Sequence, residues 1–579
     1  WQDSSWCCST SICRSIRGRM TGSNSFWFAK SDTGFYNNAV TRSLKIDDGT
    51  DARLSRTLGT ATNRAKYTLS WWMKVGDTMN TGSTATIFDS GSSGSNYTFI
   101  YLSDGKTLAC NGVSGGSNSY ALSTGVALRD PTSWYHCMFV YDSAQATDTD
   151  RIYFIVNGTR ITNTTGSPIY PTQSANDPHW NNSGSHYIGY GGGAVNLGDY
   201  DGYLADIYHI DGQALDADDF TELKNGTRIP KEYTGTFGNN GFHIAFASGT
   251  GTGTASSSTI GADTSGNDLH FTTTNIVSND VVLDSPKDNF AVLNPVYRSG
   301  GTPTLSEGNL KLTGSGTDYD RTYATVGITS GQWYAEFYYV SGDNRGMFGI
   351  VREDSQYLYA GGASNVNGTY IGAQLNTYGI DFRARAYTNS SQLFDETNFD
   401  TGDIGLLCFD IDNGKLWFGR RDVSGSTTIW YDSSGNNNGD PSAGSNPTYT
   451  FTATGHTWFI GCHDYNGTTI IANFGQDGTF NGSVTSVGAT DANGIGDFNY
   501  IESGFSALCT ANLSEPTLGP NSDELPNQHY QNYLFTGNSS STRTISGLNF
   551  QPDLLWAKAR NQTFSHRIYD STRGADKGF

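Results

Sequence analysis

From residue 42 onward the hydrophobic pattern of this chain is one of short strands. SWYHCMFVYD, residues 133–142, alternates apolar and polar positions with the period of a half-buried strand. YTFIYLSDGKTLAC reads as two strands about Asp104-Gly105, and RIYFIVNGTRI as two more about Asn157-Gly158. Both pairs accept the left-handed backbone that a tight hairpin requires. Asn413-Gly414, within GLLCFDIDNGKLWFGRRD, predicts another tight hairpin in a second strand-rich block. One helix is expected in QALDADDFTELKNG, with Asp216 as its N-cap and Leu215 and Phe220 stapling it. Gly226 and Pro230 would end it. GTGTGTASSSTIGADTSGNDLHF, within 248–280, has few large apolar groups to bury and reads as a linker or extended connector.

Composition points the same way. Glycine supplies 71 of 579 residues, 13% are aromatic and 16% charged, so turn formers and sheet formers outweigh helix formers. The expected fold is all-β: two antiparallel β-sandwich (jelly-roll) domains joined by Gly/Ser/Thr-rich linkers, plus a truncated third β domain. The divisions are an N-terminal segment 1–41, a sandwich 42–232, a connector 233–304, a second sandwich 305–480, a connector 481–529, and the start of a β-rich domain at 530–579. Residues 1–19 match none of the later patterns, and their Arg14, Arg17 and Arg19 precede no apolar run. Met20 is read as the start, with the residues before it translated from non-coding sequence.

Charge narrows the partners. With 35 basic and 55 acidic residues the net charge is −20, which argues against nucleic acid and against an anionic membrane surface. The same charge favours solubility and attracts divalent cations. No run approaches the ~18 apolar residues that mark a spanning helix, so no membrane insertion is expected. Of eight cysteines, Cys7, Cys8 and Cys13 fall in the leader, and no metal-ligand spacing occurs. Cys137, Cys408 and Cys462 lie in apolar strands and read as free buried thiols; a Cys110–Cys137 disulfide is the alternative for that pair. Cys509 stands alone.

Particular stretches carry family resemblances. SLKIDDGTDARLSRT, YTLSWWMKVG, SWYHCMFVYD with IYFIVNGTRI, and SGSHYIGYGGGAVNLGDYDGYLADIYHIDGQAL together make residues 42–232 resemble a laminin-G-like domain of the concanavalin A-like lectin superfamily. That resemblance implies two packed antiparallel sheets with ligands at rim loops. GQWYAEFYYV, TGDIGLLCFDIDNGKLWFGRRD and TWFIGCHDYNGTTIIANFG make residues 305–480 similar to a SPRY domain, a sandwich used in protein recognition. The combination with the connector YTGTFGNNGFHIAF…VVLDSPKDNFAVLNP and with PDLLWAKARNQTFSHRIYDSTRG resembles structural proteins of marine tailed phages. It implies a tail-fibre-like virion appendage that binds a host surface glycan or protein, contacts other virion proteins and forms a homotrimer.

Candidate chemistry is sparse. Glycoside cleavage needs converging carboxylates, and the motif Glu-x-Asp-x-x-Glu is absent. Asp206 and Asp211 differ by an odd number and would face opposite sides of a regular strand. Asp410 and Asp412 share a face but precede a turn, where aspartate bonds local backbone. His136 reads as a structural strand histidine, and His463-Asp464 as an edge or loop pair. No nucleophile elbow or phosphate-binding loop is present. The expectation is therefore a protein that is not an enzyme; a bacterial secreted or cell-surface adhesin and a polysaccharide-degrading enzyme are the alternatives. The laminin-G-like resemblance implies a calcium ion at the rim, for which Asp199 and Asp201 in LGDYDGY have suitable spacing, with Asp89 and Asp104 as neighbours. Trp180, in the polar stretch NDPHWNNSGS, is the candidate sugar platform, with Tyr200 beside it. Trp180 otherwise folds back to cap the sandwich edge.

Overall fold

A computed structural model describes residues 36, 40–77, 84–192, 197–224, 227–247, 249–297, 303–316, 319–355, 370–424, 427–513, 528–536, 544–560 and 562–573. Residues 1–19, the three leader cysteines and Met20 lie outside the described residues. The chain forms two units, the larger built from Tyr36–Glu222 and Ile229–Leu513.

Among the described residues, four large sheets build the larger unit. Sheet I runs in the order Thr159–Arg160, Ile152–Val156, Tyr135–Asp142, Lys66–Val75, Gly202–Asp211, Ser43–Ile46 and Val281–Val282; Phe242–Ile244 also pairs with Gly202–Asp211. Sheet II runs Thr164–Ile169, Ser117–Ala127, Thr107–Ser114, Asn96–Ser103, Ala85–Ser93, Gly184–Ile188, Arg53–Leu58 and Thr272–Thr274. Trp71, Phe139 and Leu204 of sheet I share a core with Leu54, Phe88 and Ile188 of sheet II. This is the first sandwich, antiparallel as expected.

The second sandwich pairs sheets III and IV. Sheet III runs Thr304–Ser306, Lys311–Thr313, Thr469–Asn473, Gln332–Ser341, Ile404–Asp410, Lys415–Asp422 and Thr427–Trp430. Sheet IV runs Arg321–Tyr323, Trp458–His463, Met347–Arg352, Thr377–Asp381, Arg385–Thr388 and Ser391–Asp395. Phe337 and Leu406 of sheet III meet Phe348 and Ile460 of sheet IV in one core.

Local signals held where backbone geometry decides. Asn157 and Gly158 take φ 47° and 77° between their two strands, and Asp104 and Gly105 take 50° and 67°. The Asn413-Gly414 turn is looser than expected: Asp410 pairs with Lys415, so four residues form the loop. Asp216 does cap a helix, forming a capping box with Asp219, but the helix is a single turn, Ala217–Phe220. Thr221 already has extended backbone and begins the strand Thr221–Lys224. The β-branched Thr221 and the packing of Phe220 into a patch with Tyr208 and Tyr233 outweigh the helix pattern. All five described cysteines are free and buried, Cys110 and Cys137 included.

The segments expected as connectors are built into the sandwiches. Within 233–304, Phe242–Ile244 and Val281–Val282 extend sheet I, and Thr272–Thr274 extends sheet II. Ile260, Phe271 and Ile276 anchor this glycine-rich stretch in the first core. Beyond residue 481, Phe498, Phe505 and Leu508 enter the second core, and Ser506–Ala507 pairs in parallel with Gln332–Ser341. A few large side chains are enough here because the segment borrows a core that others have built.

The sandwiches are also joined to each other. Lys66–Val75 is buried along nearly its whole length on both faces. Consecutive side chains leave a strand on opposite sides, so Trp71 enters the first core. Trp72 instead joins Trp134 and Tyr203 in the cluster that holds Phe337 and Phe348. Two lysines cross the junction. Lys74 Nζ lies 2.8 Å from both Asp284 Oδ2 and Asn289 Oδ1 and donates to the Phe290 carbonyl at 2.9 Å. Asp284 Oδ1 accepts the Trp134 indole N–H at 3.0 Å. Lys45 Nζ reaches Asn481 Oδ1 at 3.0 Å, Glu307 at 3.3 Å and Asp477 at 3.8 Å. Burial pushes the Lys45 pKa down, but Asp477, Glu307 and Asp280 outweigh it and hold the pKa above its ordinary value. The Tyr203 hydroxyl donates to the carbonyl of Gly308, which sits at φ 63°, at 2.7 Å, and a Cβ on Gly308 would sit 2.5 Å from the ring.

The smaller unit includes a hairpin of Leu554–Ala557 with Arg567–Asp570, on which Leu554 and Trp556 are exposed.

Removing one member of a buried ion pair strands the other charge. Lys74→Met is expected to lower the unfolding free energy by about 3–5 kcal/mol, read from urea midpoints. Adding Asp284→Asn should restore part of that loss. A cost within about 0.5 kcal/mol, the scale of an ordinary surface change, would contradict the buried pairing.

Candidate ligand-binding face

The aromatic candidates are core residues, which corrects the expectation of an exposed platform. Trp180 is 0% exposed, with its ring centroid 4.8 Å from His186 and 5.5 Å from Phe88. Its direction is set by Asp177, whose Oδ1 accepts the backbone N–H groups of His179 and Trp180 at 2.9 and 2.7 Å. The same buried carboxylate accepts the hydroxyls of Tyr67, Tyr120 and Thr98. Burial raises the Asp177 pKa, against the lowering by these hydrogen bonds. The aspartate two and three residues before His179 and Trp180 was the overlooked signal, since such a turn aims the following side chain inward. Tyr200 is equally buried, its hydroxyl donating to the Lys74 carbonyl at 3.0 Å. Neither ring can present a face to a sugar.

The four aspartates expected at a calcium site are used differently. Asp199 Oδ1 accepts the Gly191 amide at 2.9 Å, and Asp201 Oδ2 accepts the Asp77 amide at 2.6 Å. Asp89 is buried in Ala85–Ser93, opposite Tyr187 and Phe99, while Asp104 is exposed in its turn. Among the described residues no three or more His, Cys, Asp or Glu side chains come together as a metal site. Calcium takes six to eight oxygens, and the donors described do not fit that demand: Asp199 and Asp201 each tie one loop to another. Asp201 is left with a buried Oδ1 that has no hydrogen-bond partner among the described residues. Burial first, then the charges of Asp48, Asp47 and Asp77, push its pKa well up.

The carboxylates weighed for catalysis are held by local structure. Asp206 sits at a β-bulge with φ 51°, its Oδ1 2.8 Å from His243 Nε2. Asp211 accepts the backbone N–H groups of Thr62, Asn63 and Asn240 and the side-chain amide of Asn181. Partial burial raises its pKa, but these bonds bring it below the ordinary value. Asp410 accepts from the Asn413 backbone and from the Gln332 and Asn413 amides, and Asp412 accepts the Gly331 amide at 3.1 Å. His136 Nε2 pairs with Ser70 Oγ at 2.8 Å inside the fold. Burial and then Arg321 lower the His463 pKa to about 3, so its ring is neutral and accepts the Ile371 amide.

A more open arrangement lies on the edge of sheet II. Arg53–Leu58 pairs with Gly184–Ile188 on one side and Thr272–Thr274 on the other. Alternation sends Leu54, Leu58 and Ile188 inward and leaves Ser55, Thr57, Ser185, Tyr187 and Thr272 on the outer face. With Arg56 and Ala255 these residues line a cavity of about 240 Å³. Ala255 belongs to the glycine-rich stretch, held there by its amide to Thr272 Oγ1 at 3.3 Å, while the Thr273 amide donates to the Gly253 carbonyl at 3.0 Å. Next to it, the Arg53 guanidinium stacks 4.4 Å from the Tyr190 ring, and Tyr190 meets Tyr187 at 5.7 Å. The polar alternation in RLSRT and SHY was visible in the sequence, but its meeting with Thr272, more than two hundred residues away, was not.

Comparison with known proteins bears on the first sandwich and on the C-terminal segment. Residues 47–219 match the family described as the concanavalin A-like lectin/glucanases superfamily. Residues 525–579 match a domain of unknown function, DUF7483. No curated protein matches. Among solved structures, the SPRY domain of human HERC1 is 15% identical, with 31% of this chain and 96% of that one covered and a TM-score of 0.22. The TRIM65 PSpry domain is 14% identical over 31% of this chain and 89% of that one, TM-score 0.23. A heptameric SAP-like pentraxin from Limulus polyphemus is 18% identical over 31% and 79%, TM-score 0.23. Residues 47–219 are thus similar to a lectin-type family.

Because its folded pKa is raised, the Asp201 carboxyl contributes stability below the ordinary carboxylate range and loses it as pH rises. Asp201→Asn should therefore raise the thermal midpoint by a few degrees at neutral pH, in chelator, with the gain vanishing as pH falls. If calcium instead stabilises the wild type and Asp201→Asn abolishes that effect, these loops do hold the ion.

Proposed function

We propose that this chain is a non-enzymatic structural and adhesive protein of a tail-fibre-like virion appendage, binding a host surface glycan or protein through its first sandwich. The observation that carries the reading is the outer face of sheet II, where serine and threonine hydroxyls and the Tyr187 ring line one cavity. That surface suits recognition: a flat ring to lie against, and polar groups to fix orientation. Of the carboxylates weighed above, Asp211, Asp410 and Asp412 are occupied by backbone and amide donors and Asp206 by the His243 ring, which favours binding over cleavage. The match of residues 47–219 to a lectin-type family supports the same class of activity. The phage setting rests on the resemblance of the whole arrangement, with repeated copies in an oligomer raising effective concentration at a surface.

Fluorescently labelled full-length protein should be retained by some members of a panel of marine bacterial isolates and released when surface polysaccharide is oxidised with periodate or surface protein is stripped with protease. No reducing ends should appear in the supernatant. Absence of retention across the panel, or release of sugar during incubation, would overturn this reading.

A further inference from the structure

One carboxyl of the second sandwich is fully buried with no cation among its partners. Phe337 enters the core between sheets III and IV, so its neighbour Glu336 leaves the strand on the other side. Glu336 Oε1 accepts the Tyr500 amide at 2.7 Å and the Tyr334 hydroxyl at 3.2 Å. Its Oε2 accepts the Asn473 side-chain amide at 3.0 Å and the Asn499 amide at 3.2 Å. Two of these four donors belong to the strap 497–508, which crosses the outer face of sheet III. We propose that Glu336 is a proton-operated latch: protonated, it holds this strap down, and on losing the proton it lets the strap lift.

The strap has little else at this end. Its only strand pairing is Ser506–Ala507, two residues beside Trp333 and Tyr334. Beneath it lie Tyr334, its ring 5.2 Å from Phe498, and Trp417, 6.1 Å from Phe505. Cys408, opposite both in the sheet, is fully buried. The other ionisable groups around the latch are already committed. Arg421 spends Nε on Asn499 Oδ1 and Nη1 on Thr428 Oγ1. Glu502 accepts from the Tyr500 hydroxyl and the Trp430 indole, and Asp497 accepts from the Ser486 hydroxyl. Burial pushes up Tyr334 and Tyr338 on the same strand, Cys408 on the next and Tyr500 on the strap, so all four stay neutral near neutral pH. An ionised carboxylate buried without a cation is strongly disfavoured, and lifting the strap hydrates it. The Tyr334 hydroxyl both donates and accepts, so it can receive the carboxyl proton without breaking the pocket. Burial raises the Glu336 carboxyl to about 7, against the lowering by its four hydrogen bonds. The closed strap therefore binds the proton more tightly than the lifted one. That contribution to closure is complete below the ordinary carboxylate range and is lost as pH rises through about 7.

The test is hydrogen exchange of the full chain, read by mass spectrometry and corrected for the intrinsic pH dependence of amide exchange. Protection at Asn499, Tyr500 and Leu508 should fall about ten-fold or more between about pH 5 and pH 8, then level off. Glu336→Gln, which does not titrate, should make protection level across the whole range. Tyr334→Phe removes a donor to the charged form and should move the levelling point to higher pH. Alkylation of Cys408, scaled to that of Cys462 in the same molecule, should rise over the same pH range. That second readout needs no substitution, so it stands even where a variant folds poorly. Wild-type protection that ignores pH, or an equal fall in a folded Glu336→Gln, would overturn the proposal. Cys408 alkylation that stays level with Cys462 would overturn it as well.

Discussion

Two lysine ammonium groups buried between the sandwiches, Lys45 and Lys74, are the constraint on which the rest of the larger unit depends. A desolvated cation is tolerated only with anionic and polar partners at close range, and each lysine finds its partners on chain segments far away in sequence. Lys74 draws Asp284, Asn289 and the Phe290 carbonyl to sheet I, and Lys45 draws Glu307, Asp477 and Asn481. Around these contacts Trp72, Trp134 and Tyr203 fill the junction with apolar surface. Gly308 is required where the backbone passes against Tyr203.

That junction explains the roles of the two faces of the first sandwich. Sheet I is covered on its far side by the second sandwich and by the patch around Phe220. Sheet II keeps an outer edge on which the groove forms, and the chain leaving the first sandwich returns to wall it. The glycine-rich stretch is therefore a structural part of the site. Its small residues let the backbone pass close to the strand edge, while Ile260 and Phe271 hold it down.

The sequence revealed the class of fold and most strands, because alternation and turn chemistry are local. Asp104-Gly105 and Asn157-Gly158 could be read directly, since their left-handed backbone is a property of the residues themselves. The double burial of YTLSWWMKV was not written in the sequence: Thr68, Ser70 and Lys74 alternate with Tyr67, Leu69, Trp71 and Met73, which is the pattern of a half-buried strand. What covers the second face could not be read, because Asp284 and Glu307 are ordinary acidic residues until Lys74 and Lys45 reach them. The helix after Asp216 was overestimated because Thr221 prefers extended backbone. Trp180 misled because its polar neighbours belong to a turn organised by Asp177, and that turn points the ring inward. The groove was missed for the opposite reason: Ser55, Thr57, Ser185 and Tyr187 look like any solvated sheet face until Thr272 and Ala255 close over them.

The central claim is that the two sandwiches share one cooperative core. Native-state hydrogen exchange tests this most directly, by comparing the amides of Trp71 in sheet I and Phe337 in sheet III as denaturant is raised. The account predicts that both open with the same free energy, in one global unfolding event. Persistent protection at Phe337 after Trp71 has exchanged, or the reverse, would mean that the sandwiches unfold independently and that the lysine junction does not bind them into one unit.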